Sequence, residues 1–123
     1  MPEENDPTEN PDDDLVELKR VSRIKHHILE KYLPPWQIIL GSKFNTLDYW
    51  DCYAGPGRYK FENAIVDGSP LIALKAANDY LILNPDKKME LRLVERSEAQ
   101  KITLEHSLES ANIKNTRLQV SLF

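Results

Sequence analysis

Residues 46–59 read TLDYWDCYAGPGRY, and how this stretch divides decides the fold. Thr46–Trp50 has the aromatic and aliphatic content of a buried strand leading into Asp51. The small-residue run Ala54-Gly55-Pro56-Gly57 then forces a turn. Glycine tolerates backbone angles closed to other residues, and proline fixes φ.

Upstream, residues 15–33 (LVELKRVSRIKHHILEKYL) carry Leu18, Val21, Ile24, Ile28, Leu29 and Tyr32 at helical spacing, which predicts an amphipathic helix with one apolar stripe. Its opposite side gathers Arg20, Arg23, His27 and Lys31. Pro34-Pro35 is expected to stop this helix and open a short second one that ends at Gly41. Downstream, residues 57–68 (GRYKFENAIVDG) read as a loop. Gly68-Ser69-Pro70 reads as a helix start with Ser69 as N-cap, and Leu71, Ile72, Leu74 and Ala77 continue that helix to Asn84-Pro85. Met89–Glu95 is a second strand. Ser97 and Gln100 form a capping box for a helix to about Ser110, and residues 116–123 make a third strand.

The expected order is helix, helix, strand, helix, strand, helix, strand, an α/β pattern of parallel strands joined by right-handed crossovers. Both crossover helices then lie on one face of the sheet. The other face and the free edge of the first strand stay uncovered, whereas parallel sheets are nearly always covered on both faces. The chain therefore looks like half of a doubly wound domain, continuing past Phe123 in a fuller form. An uncovered face is also expected to promote association between copies.

A length of 123 residues suits one domain, with residues 15–42 as a helical segment and 43–123 as the sheet domain. Hydrophobic residues at 41% and charged residues at 29% are globular values, and no apolar run approaches the ~20 residues of a membrane span. The N-terminus is acidic where an export signal is basic and then apolar, which points to the cytoplasm. Residues 1–14 hold seven acids and no Lys or Arg; the rest of the chain has 13 acids against 16 bases, a formal +3. This proline-dotted run reads as a disordered tail that aids solubility, or else masks a basic patch. A lone cysteine, Cys52, excludes an internal disulfide and reads as a buried strand thiol, with Asp51 beside it opposing the thiolate. His26 and His27 point about 100° apart on a helix, so they make no shared metal site, and only His106 remains.

In open α/β sheets, ligands bind beyond the carboxyl ends of the strands, where Asp51–Gly57 is expected to sit. Glu95 closes the second strand and is placed to accept hydrogen bonds from ribose hydroxyls. A dinucleotide needs a third glycine and a helix directly behind the turn to receive pyrophosphate. Here Lys60 stands where that glycine would, the helix waits until Ser69, and Glu95 lies 38 residues beyond Gly57. The dinucleotide pattern places its acid about 20 residues on. S-adenosylmethionine has an α-amino group, a sulfonium and a ribose but no pyrophosphate, and suits Asp51 and Glu95 better. Competing readings are that Asp51 caps a turn, that Gly55 and Gly57 serve backbone geometry, and that Glu95 pairs with Arg92 or Arg96.

YWDCYAGPGRY resembles the first motif of Rossmann-fold methyltransferases. KHHILEKYLPPWQIIL, LDYWDCYAGPGRY, DGSPLIALKAA and LVE, in that order, resemble the three-Cys-motif partner protein family (TcmP) across about Lys25–Glu95. The resemblance implies the N-terminal half of a class I methyltransferase fold: a Rossmann-like parallel sheet with a helical N-terminal extension. It implies S-adenosylmethionine as cofactor, with Asp51, Gly55 and Gly57 on the cofactor turn, Glu95 on the ribose, and Ala54, Pro56 and Ser69 shaping the site. A three-cysteine-motif protein is the implied partner. Cys52 and Tyr53 depart from the usual aliphatic residue and Phe, and substrate-side catalytic residues are expected beyond Phe123. The alternative is a non-catalytic Rossmann-like module that pairs with a protein or nucleic acid, in which Arg20, Arg23, His27 and Lys31 meet phosphates. Such a basic face is more often simply solvated.

Overall fold

The computed structural model describes residues 15–123, so the acidic tail expected at residues 1–14 lies outside the described residues. Three helices and five strands follow one another as α1 (Arg20–Gly41), β1 (Thr46–Asp51), β2 (Arg58–Phe61), β3 (Ala64–Asp67), α2 (Ser69–Leu83), β4 (Lys88–Leu93), α3 (Glu98–Ala111) and β5 (Leu118–Leu122). Strands β1, β4 and β5 form a parallel sheet in that order, with Asp51 opposite Leu93 and Leu93 opposite Leu122. This is the expected α/β, Rossmann-like crossover arrangement, with β1 at an open edge among the described residues. Among these residues no helix is long and apolar enough to cross a membrane.

The sheet alternates rather than running apolar throughout. Leu47, Tyr49, Met89, Leu91 and Leu93 point to the helices, and packing against them are Leu33 of α1, the buried α2 residues Leu71, Leu74, Ala77 and Leu81, and Leu104 of α3. Trp36 meets Tyr49 edge-on at 6.0 Å, and Gln37 donates to the Met89 sulfur at 3.5 Å. The opposite face carries Thr46, Asp48, Glu90, Arg92, Gln119 and Ser121, none of them buried. Its apolar area is confined to Trp50 and Phe123, which stack at 5.9 Å with the Arg92 guanidinium over Trp50. Among the described residues the face is uncovered, as expected, but it is mainly polar, so it offers little drive to association. Such alternation with one polar face is usual for antiparallel sheets and departs here from the two-sided burial of most parallel ones.

Three local expectations are corrected. Pro34 and Pro35 do not end the first helix: α1 runs through both to Gly41. Each proline removes one backbone hydrogen bond, yet Leu33 and Gln37 on either side are buried against the core and hold the segment helical. The helix also starts later than expected. Residues 16–18 are extended and bridge the chain at Lys60, with Lys60 N donating to Val16 O at 3.0 Å and Leu18 N to Lys60 O at 2.8 Å. The supposed loop at 57–68 is the hairpin β2–β3, turned by Glu62 (φ 48°) and Asn63 (φ 63°). Paired positive φ values at a two-residue turn match the right-handed strand twist.

Candidate functional site

The stretch after β1 lies at the carboxyl end of the sheet and is tied to the end of β4. Val94 N donates to Asp51 O at 2.8 Å, and Ala54 N donates to Val94 O at 3.0 Å. Ala54, Gly55, Pro56 and Gly57 are all buried. The Ser107 hydroxyl of α3 donates to Pro56 O at 2.9 Å. Sequence proximity, strand register and these bonds thus bring Asp51, Ala54, Gly55, Pro56, Gly57, Ser69 and Glu95 to one place.

Two carboxylates organise it. Asp51, 9% exposed, accepts from Tyr53 N at 3.1 Å through Oδ1 and from the Ser69 hydroxyl through Oδ2. Ser69 is not the N-cap. Gly68 occupies that position without a side-chain cap, and Ser69 opens α2 with its hydroxyl turned to Asp51. A carboxylate therefore already sits beside the first turn of α2, where the helix dipole favours negative charge. Glu95 accepts from Gly55 N at 2.9 Å and from Ser97 N at 2.8 Å, one bond on each oxygen. It bridges the turn to the start of α3, and it is not paired with Arg92, which is bonded to Glu90. Ser97 does cap α3, accepting from Gln100 N at 3.3 Å, but its own N–H goes to Glu95.

Both glycines of the turn have positive φ, 70° at Gly55 and 86° at Gly57. Their missing Cβ atoms make room for protein. A Cβ at Gly55 would run into the Tyr59 hydroxyl, and one at Gly57 would meet Leu71, Leu104 and Ser107. The close-approach role expected for a ligand is thus taken at Gly57 by the core and at Gly55 by Tyr59.

Tyr59 and His26 are site residues that motif reading missed. Tyr59 belongs to the hairpin read as a loop, and His26 to a helix whose inward side was misassigned. Their rings lie 6.0 Å apart. Burial pushes the Tyr59 pKa up, with Glu95 and Asp51 adding to the shift. Burial and Asp51 likewise push Tyr49 up to about 12. The alternation Tyr59-Lys60-Phe61 before Glu62-Asn63 is the signal that reveals the hairpin.

Burial pushes the His26 pKa below its ordinary 6.5, Arg23 and His27 add repulsion, and Asp51 opposes them. Its Nδ1 is buried and finds no hydrogen-bond partner among the described residues. The folded protein binds this proton less readily than the unfolded chain, so the associated stability is full above pH 6.5 and is lost as pH falls below it. Urea unfolding on either side of that pH should show a smaller acid-side loss for His26→Gln than for the parent. An unchanged loss would remove His26 from this role.

The other expected residues separate from the turn. Cys52 is exposed rather than buried, because β1 ends at Asp51 and the alternation turns Cys52 to the open side. Of the basic set, Arg23 stacks on Phe61 and Arg20 pairs with Glu62 at 3.8 Å, so the hairpin engages two of the four residues. His27 and Lys31 are exposed. A groove of about 620 Å³ between α1, the hairpin and α2 is lined by Arg23, Asp67, Lys75 and Asp79, not by the turn. Lys75 and Asp67 neutralise each other across it.

Asp51 and Glu95 each use two acceptor positions and keep others for ligand donors. Two carboxylates disfavour a pyrophosphate, and Asp51 fills the α2 position where one would dock. The arrangement suits a ligand that brings hydroxyls and positive charge. Compared with known proteins, the chain matches no family model, no curated protein and no solved structure.

Proposed function

We propose that the chain forms the cofactor half of an S-adenosylmethionine-dependent methyltransferase of the three-Cys-motif partner type, acting in the cytoplasm. The observation that carries this reading is the Glu95 bridge from Gly55 to Ser97 beside the Asp51–Ser69 pair, at the carboxyl ends of β1 and β4. The donor set fits the cofactor: Glu95 has free acceptor positions for ribose hydroxyls, and Asp51 supplies negative charge toward the amino and sulfonium groups. When bound, S-adenosylmethionine supplies a methyl group activated by its sulfonium. Ser69 and the Tyr53 amide hold Asp51, and the Gly55 and Ser97 amides hold Glu95. Ala54 and Pro56 tie the turn to Val94 and Ser107, Gly55 and Gly57 allow the turn, and Tyr59 lies over it.

Calorimetric titration with S-adenosylhomocysteine tests the proposal; saturable heat with one site per chain is expected, and no heat at any concentration contradicts it. The second reading, a Rossmann-like module that binds a protein without methyl transfer, draws on the exposed apolar side of α1. Cofactor binding with no transfer to protein or nucleic-acid pools would favour it.

A further inference from the structure

Of the apolar stripe expected at Leu18, Val21, Ile24, Ile28, Leu29 and Tyr32, Leu18 is buried and Leu29 packs on the core, but the other four face solvent. Val21, Ile24, Ile28, Tyr32 and Ile39 are between 55% and 64% exposed, and Pro35 lies exposed among them. The buried side of the helix is instead Leu33, Gln37 and Gly41. Counted from Val21, the exposed set recurs at steps of three, four, four, three and four, so that 21, 24 and 28 repeat at 32, 35 and 39. An 11-residue period keeps a seam nearly straight along a helix axis, here for about 27 Å at 1.5 Å per residue.

The flanks of the seam are cationic. Lys25 lies on one side at about 60° from its centre line, and Lys31 and Arg20 lie on the other, with Arg20 also 3.8 Å from Glu62 of the hairpin. The one acid in α1, Glu30, lies about 160° from Ile28, away from the seam. We infer that this seam docks an amphipathic helix of another protein, one with apolar residues at three-four-four spacing and Glu or Asp on both flanks.

Charge complementarity selects this occupant. A second copy of α1 would set Lys25 and Lys31 against their own counterparts, and flanking charges of like sign exclude a helix pair. Residues 1–14 have the right charge but no Val, Ile, Leu or Phe to fill the seam. A lipid surface also accepts basic flanks, but the far side of α1 packs on α2 and β1 and leaves only the narrow seam to enter it.

Fluorescence anisotropy with the full chain and two synthetic peptides as long as α1 tests the inference. Both peptides carry Ile and Leu at three-four-four spacing; one has Glu on the flanks and the other Lys. The Glu peptide should bind at least about tenfold more tightly than the Lys peptide and weaken with added salt. Ile28→Glu should lower its affinity by about tenfold or more, while far-ultraviolet circular dichroism and the urea midpoint stay unchanged, because the side chain is exposed. Equal binding of the two peptides, no binding, or insensitivity to Ile28→Glu overturns the proposal. So do self-association that competes with the Glu peptide, and Ile28-dependent binding to phosphatidylserine vesicles in preference to it.

Discussion

Gly57→Ala should lower the unfolding free energy by about 2–5 kcal/mol, summing the cost of left-handed backbone and of overpacking. Gly57 has φ 86°, and an added Cβ would stand 2.9 Å from Leu71 Cδ2, 2.9 Å from Ser107 Cβ and 3.0 Å from Leu104 Cδ1. Leu71 and Leu104 meet it with terminal methyls in a packed core, but Ser107 Cβ is fixed to the α3 backbone, so relief requires α3 to shift as well as the two leucines to repack. A small domain has about 5–15 kcal/mol in all, so much of its stability is at stake. Gly55→Ala is the control. Its φ is 70°, but its Cβ would meet only Tyr59, which can swing aside. That change should cost the backbone strain alone, about 1–2 kcal/mol. Urea unfolding of the two variants decides between them; equal losses would mean that Gly57 is not wedged between the helices.

Asp51→Ala should weaken S-adenosylhomocysteine binding by about ten- to a hundredfold, the worth of one hydrogen bond to a charged group. It also leaves Tyr53 N–H and the Ser69 hydroxyl without their acceptor, a loss of about 1–3 kcal/mol in stability. The two effects are separable by calorimetry at a temperature where circular dichroism shows both proteins folded. An affinity that falls only in proportion to the folded fraction would restrict Asp51 to holding Ser69. Glu95→Ala should weaken binding comparably and free the Gly55 and Ser97 amides.

The parallel sheet was legible because strands of period two alternate with helix starts at Gly68-Ser69-Pro70 and Ser97. The convergence of Asp51, the glycine turn and Glu95 was legible because each lies at or just beyond a strand end. What failed did so for tertiary reasons. Pro34-Pro35 is a local stop signal, overridden by burial of Leu33 and Gln37 on its two sides. The α1 stripe was assigned to the core because apolar periodicity marks a face without saying what covers it. Leu33 and Gln37 mark the buried side, and a glutamine on that side hides it from a hydrophobicity reading. Glu62-Asn63 is a weaker hairpin signal than Asn-Gly, and so Tyr59 went unnoticed. The open face was expected from topology, and its polarity stands in the alternation of Asp48 with Tyr49 and Glu90 with Leu91.

The most direct test of the proposed cofactor site is a ¹⁵N–¹H correlation spectrum of the chain titrated with S-adenosylhomocysteine. Gly55 and Ser97 donate their amide protons to Glu95, so a ribose at that carboxylate must shift both. The expected result is saturable shifts at Gly55, Ser97 and Tyr53, with little change along the exposed side of α1. A spectrum in which these three amides stay still at saturating ligand, or in which the shifts gather elsewhere, would contradict the assignment of this turn as the cofactor site.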